Sequence, residues 1–88
     1  MYKIQYHKKA VKEIEKLKMN KLDSKVKKLI DIIKENPYQN PPPYEKLTGD
    51  LKDYYSRRIN IQHRLIYQVI EKENTVRILS MWTHYENV

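Results

Sequence analysis

The pattern of apolar residues predicts an α+β fold, a small antiparallel β-sheet packed against an N-terminal helical hairpin in the order β-α-α-β-β-β. Three observations predict it. Alternating apolar residues open the chain, and two stripes at helical spacing follow to about residue 36. Beyond a proline-rich connector, three runs rich in Tyr, Ile, Val, Leu and Trp occupy residues 53–83. With 88 residues the expectation is one domain spanning 1–88, large enough for one modest core.

Tyr2, Ile4 and Tyr6 alternate with Lys3 and Gln5, which predicts a short half-buried strand over Met1 to Tyr6. From His7 the period lengthens. Val11, Ile14 and Leu17 recur among lysines and glutamates, predicting a first amphipathic helix to about Met19. Asn20 or Asp23 can break and recap the chain. Leu22, Val26, Leu29, Ile30 and Ile33 form a stronger second stripe, which ends at Glu35-Asn36 because Pro37 disfavours helical geometry in the residue before it. Residues 37–43, with four prolines, read as an extended connector. Thr48-Gly49-Asp50 is a turn around the single glycine. Asp53 to Asn60, Gln62 to Ile70 and Thr75 to Thr83 read as strands, with Glu71-Lys72-Glu73-Asn74 as the turn between the last two.

The net charge is +7, distributed unevenly. Residues 1–36 carry eleven lysines against five acids, whereas residues 37–88 carry seven basic against six acidic groups and hold all four arginines. Lysine is a hydrated point charge and arginine a rigid fork suited to phosphate. The first half therefore reads as a diffuse electrostatic surface, or simply a solvated face, and the second as the place where a phosphate is gripped. With no cysteine, the chain has neither a disulfide framework nor a thiolate metal site. No apolar run nears the roughly 20 residues of a membrane span, and no signal-peptide h-region opens the chain. A cytoplasmic protein, without a membrane partner, is the expectation.

Metal chemistry has little support, since His7, His63 and His84 are scattered and no dense acid cluster accompanies them. No cofactor is implied. Ser24, Ser56 and Ser80 lack a nucleophile-elbow context. What the chain does hold is the set a metal-free ribonuclease needs: a base, an acid and fixed positive charge around a phosphate attacked by the neighbouring 2′-hydroxyl. His84 is the natural acid, because its ordinary pKa lies near neutrality. Tyr85 offers a ring for base stacking and a phenol for phosphate. Arg58, Gln62 and Arg64 share strand parity and converge on one face if the hairpin near Asn60-Ile61 keeps an even register. The alternative for the arginines is pairing with acids such as Asp50 or Asp53. Glu45 carries no signal by itself.

The segments Pro43-Tyr44-Glu45-Lys46-Leu47, Leu51, Ser56-Arg57-Arg58-Ile59 and His63-Arg64-Leu65-Ile66-Tyr67, closed by His84-Tyr85, resemble the central pattern of the YoeB/Txe branch of RelE-like bacterial toxins. Val26-Lys27-Lys28-Leu29-Ile30 and Asn36-Pro37-Tyr38 are similar too, and the first helix matches least. The resemblance implies a RelE-like fold, ribosome-dependent cleavage of messenger RNA in the A site, and restraint by a YefM-like antitoxin. It makes Glu45 the general base, His84 the general acid and Arg64 the main transition-state clamp. Arg58, Tyr85 and Gln62 would then bind substrate. Thr48 stands where the family has a lysine, and Gln62 where it has a glutamate. Two other classes remain open: a ParE-like toxin that binds a protein target such as gyrase, and a basic RNA- or ribosome-binding module without catalysis. Homodimerisation is left open as well.

Overall fold

The computed structural model describes residues 1–49 and 53–84, with only the backbone of His84. The chain runs β1 (Lys3–Tyr6), α1 (Lys8–Lys12), α2 (Ile14–Met19), α3 (Asp23–Glu35), β2 (Glu45–Lys46), β3 (Tyr54–Arg58), β4 (His63–Ile70) and β5 (Thr75–His84). The strands form one sheet in the order β1-β5-β4-β3-β2. The α+β expectation holds, with two differences. The sheet is mixed, because β1 runs parallel to β5 while the other pairs are antiparallel. The crossover between these two strands is the helical arm together with β2–β4, long enough for the first strand to lie parallel beside the last. The second difference is β2, a two-residue strand that pairs Glu45 with Ser56 and Lys46 with Tyr55.

The expected first helix is broken. α1 and α2 meet at Glu13, and the buried face is Ala10, Glu13 and Leu17 rather than Val11, Ile14 and Leu17. Val11 is exposed and Ile14 only partly buried. α2 ends in a left-handed residue, Lys21 at φ 57°, with Leu22 N–H donating to Leu17 C=O at 2.8 Å and Lys21 N–H to Lys18 C=O at 3.1 Å. This is a Schellman closure with lysine where glycine is usual. Neither predicted cap acts as an N-cap. Leu22 occupies that position of α3, Asp23 lies in the first turn, and Asn20 Nδ2 donates back to Lys16 C=O. The α3 stripe buries Val26, Leu29 and Ile33 as expected, with Leu22 and Ile30 packed at its margin.

One sheet face receives the helices. Tyr55, Leu65, Tyr67, Val69, Val76 and Ile78 pack there against Ala10, Leu17, Val26, Leu29 and Ile33. The 71–74 turn forms as a single 3₁₀ turn closed by Asn74 at φ 51°. At the other expected turn, Gly49 takes φ 71°, which a side chain would disfavour; Asp50, its predicted companion, lies outside the described residues.

Candidate active site

Strand parity separates the two adjacent arginines. In β3, Tyr55 and Arg57 point to the core face, and Ser56 and Arg58 to the opposite face. Arg57 is 1% exposed. Its Nε donates to the Tyr67 hydroxyl at 3.1 Å, Nη1 to Pro42 C=O at 2.6 Å, and Nη2 to Pro37 C=O at 3.1 Å and Gln39 C=O at 2.9 Å. Tyr67 donates in turn to Pro37 C=O at 2.7 Å. Burial pushes the Tyr67 phenol up to about 12, against a smaller opposing pull from the Arg57 cation. The Arg57 guanidinium also lies 5.0 Å from the Tyr44 ring centre. The connector is thus more than a stiff spacer. Its peptides at Asn40-Pro41 and Pro41-Pro42 are both cis, and its carbonyls converge on one buried cation.

Held this way, the connector delivers Tyr44 and Glu45 beside the open face of the sheet. Glu45 opposes Ser56 in β3, and Ser56 opposes Ile66 in β4. Arg58 opposes Arg64 directly, so the even register expected of the hairpin is present. Pro43, Tyr44, Glu45, Ser56, Arg58 and Arg64 line a cleft of about 300 Å³. Inside it Arg64 Nη1 lies 3.5 Å from Glu45 Oε1 and 3.3 Å from Ser56 Oγ. The Arg64 side chain is 6% exposed, whereas Glu45 is 64% exposed. Among the described residues the acid beside Arg64 is Glu45; Asp50, one of the acids weighed from sequence, lies outside them. Arg58 remains exposed at the cleft margin.

One predicted residue falls differently. Gln62 lies in the bend before β4 and does not line the cleft; its backbone N–H donates to Asn60 Oδ1 at 2.9 Å. Strand parity stops applying once the chain leaves β3, which is why Gln62 does not join Arg58 and Arg64. Tyr85 lies outside the described residues, as does Leu51. His84 ends β5, with its backbone opposite His63, one step from the Thr83–Arg64 pair. The strand is braced there by Trp82, stacked on His63 at 3.9 Å between ring centres. Sequence reasoning did not single out Ser56, which touches Arg64, nor Glu13. For Glu13 a signal existed: Ala10, Glu13 and Leu17 follow i, i+3, i+7 spacing, which puts a carboxylate on a buried helical face.

The cleft can hold an anion against Arg64 and Arg58 with a carboxylate alongside. Among the described residues no three histidine or acidic side chains gather as a cation site, and no helix is long and apolar enough to cross a membrane.

Known proteins share both sequence and fold with this chain. The family model for the YoeB-like toxin of bacterial type II toxin–antitoxin systems matches residues 2–85. The toxin YoeB of Synechocystis is 35% identical over 66 residues, 75% of this chain and 74% of its own length. The YoeB/ParE toxin of Agrobacterium tumefaciens superposes with a TM-score of 0.84 at 26% identity, over 94% of this chain and 99% of that one. The toxin in the heterotetrameric YoeB–YefM complex of Staphylococcus aureus superposes at 0.79 with 33% identity, over 97% and 99%.

Proposed function

Since the chain belongs to the YoeB-like toxins of bacterial type II toxin–antitoxin systems, we propose that it acts as a ribosome-dependent endoribonuclease that cuts messenger RNA in the A site. The observation that carries this is the Glu45–Arg64 pair, 3.5 Å apart in a cleft whose margin holds Arg58. An exposed carboxylate and a buried cation in loose contact can exchange partners. An arriving phosphate takes the Arg64 fork, and Glu45 is freed beside the 2′-hydroxyl it deprotonates. The 2′-oxygen attacks phosphorus, Arg64 and Arg58 stabilise the phosphorane, and His84 protonates the departing 5′-oxygen. The products are a 2′,3′-cyclic phosphate and a free 5′-hydroxyl. Tyr85 would orient the RNA; Gln62, away from the cleft, would touch only flanking substrate. No step needs a cofactor.

A site with one carboxylate and one acid is sparse, so substrate alignment must come from elsewhere. Orientation of bound reactants is worth roughly 7–11 kcal/mol of a barrier, and the ribosome supplies a fixed messenger. The partner that restrains the toxin is a YefM-like antitoxin whose acidic segment covers the arginine face. The Staphylococcus aureus relative in complex with YefM and the +7 charge of this chain support that reading, and the proposed place of action is the cytoplasm. Incubating the protein with translating ribosomes and mapping messenger ends by primer extension tests it. Cuts in register with the ribosome, bearing cyclic phosphate ends, are expected. Equal cleavage of naked RNA, or no cleavage in either setting, overturns the proposal.

A further inference from the structure

Glu13, at the break between α1 and α2, is only 7% exposed. A carboxylate withdrawn from water needs donors, and it takes them from β5. Met81 N–H donates to Glu13 Oε1 at 2.8 Å, and the Ser80 hydroxyl lies 3.3 and 3.2 Å from the two carboxylate oxygens. Ser80 Oγ itself accepts from the Thr83 hydroxyl at 2.5 Å and, at longer range, from Trp82 N–H at 3.5 Å. A hydrogen-bonded chain thus runs from the helix break to the residue before His84.

These bonds fall where β5 departs from regular pairing. Tyr67 opposes Ile78, Ile66 opposes Ser80 and Arg64 opposes Thr83, so residues 78–83 face only 64–67. The surplus residues take β5 out of the ladder and re-aim the strand, as bulges do. A regular ladder would satisfy more backbone groups, so the bulged register needs an outside acceptor for the displaced N–H. Glu13 is that acceptor at Met81. A one-residue slip would send the following side chains to the other face and break the pairing of Thr83 with Arg64.

We propose that Glu13 is a positioning residue for the site: by holding Met81 N–H and Ser80 Oγ it fixes the β5 bulge, and with it the register that sets Thr83 opposite Arg64 and the backbone of His84 opposite His63. This rests on the role given to His84 above. Glu13→Ala removes both acceptors, Ser80→Ala cuts the relay, and Glu13→Gln keeps one oxygen for Met81 N–H. Misplacement of a catalytic group by about 1 Å costs on the order of 10²-fold. Single-turnover cleavage at saturating ribosomes should therefore fall roughly 10- to 100-fold in Glu13→Ala, less in Ser80→Ala, and recover partly in Glu13→Gln. The ribosome concentration for half-maximal rate should not move. In amide ¹H–¹⁵N spectra the Thr83 and His84 peaks should shift in Glu13→Ala and return part-way in Glu13→Gln. A folded Glu13→Ala protein that cuts at the wild-type rate, or whose 83–84 peaks stay in place, overturns the proposal. If Glu13→Ala does not fold, Ser80→Ala decides on the same two readouts. Should wild-type protein cut nothing on ribosomes, the nuclease reading fails, and the amide peaks alone still decide whether Glu13 positions the strand end.

Discussion

Replacing Arg57 by alanine isolates what the connector depends on. Four acceptors lose a donor: the Tyr67 hydroxyl and the carbonyls of Pro37, Gln39 and Pro42. Pro37 C=O keeps its bond from Tyr67, so it is not orphaned. Gln39 and Pro42 C=O have no such substitute among these contacts, though both bonds are only partly buried and water can reach them. Hydrogen bonds to charged groups are worth about 1.5–3 kcal/mol each, and they do not add fully. Loss of packing at a side chain that is 1% exposed brings the expected cost to about 3–4 kcal/mol. A domain of this length is stable by roughly 4–13 kcal/mol, so the variant should fold but sit close to its limit. With a urea slope of about 1.5 kcal/mol per M, the unfolding midpoint should fall by about 2 M. Arg57→Lys, with three donors in place of a five-donor fork, should lose about half as much. Cleavage by the folded fraction should fall in both, since the connector ends at Glu45. A midpoint shift below about 0.5 M for Arg57→Ala would refute the view that this cation organises the loop.

In single-turnover assays on saturating ribosomes, Arg64→Ala should cost about 10²–10³-fold and His84→Gln about 10²–10⁴-fold, with Glu45→Gln milder; wild-type rates for both Arg64→Ala and His84→Gln would remove them from the chemistry. Lys21→Gly should raise stability by about 0.5–1 kcal/mol, because glycine relieves the left-handed residue at φ 57° but loses more chain entropy; a lower urea midpoint contradicts the Schellman assignment. Tyr67 holds its proton to about pH 12 when folded, against 10.0 for the free phenol, so its contribution is complete below pH 10 and is lost as pH rises through 12. The urea midpoint should therefore be lower at pH 11.5 than at pH 9, by an amount that corresponds to about 2 kcal/mol, with a smaller difference in Tyr67→Phe.

The parts of the fold legible in the sequence are those with a local period. Ile4 and Tyr6 alternate, and Val26, Leu29 and Ile33 repeat at helical spacing, and each pattern produced its element. What escaped is non-local. Two residues, Glu45 and Lys46, have no period of their own, and β2 exists only because β3 lies alongside. Glu13 is an ordinary helix former, so nothing in residues 8–19 predicts a break; its carboxylate turns inward to reach Ser80 and Met81, 67 and 68 positions away. The direction of β1 against β5 is likewise set by the crossover rather than by either strand. For the site, parity put Arg58 and Arg64 on one face, but the meeting of Glu45 with Arg64 spans 19 positions and no spacing rule foretells it. The resemblance of motifs brought Glu45 into consideration where its chemistry alone gave no reason.

The environments of Arg57 and Arg64 differ in a way that bears on the roles proposed for them, one as scaffold and the other as phosphate clamp. Both are almost fully buried, and both carry the same planar guanidinium fork. Arg57 is bound by neutral oxygens at 2.6 to 3.1 Å, all carried by the segment it organises or the adjoining strand. Trading those for an anion would undo the connector. Arg64 instead meets a hydroxyl at 3.3 Å and a carboxylate at 3.5 Å, distances at the loose end of hydrogen bonding. Its carboxylate partner is mostly in water, where a lost ion pair costs little. On the proposed mechanism an arriving phosphate would displace Glu45 from Arg64 at little cost to that ion pair. The displaced carboxylate would then lie beside the substrate, where the proposed mechanism needs its general base. The weakness of the Glu45–Arg64 contact is thus what favours the roles proposed for the pair.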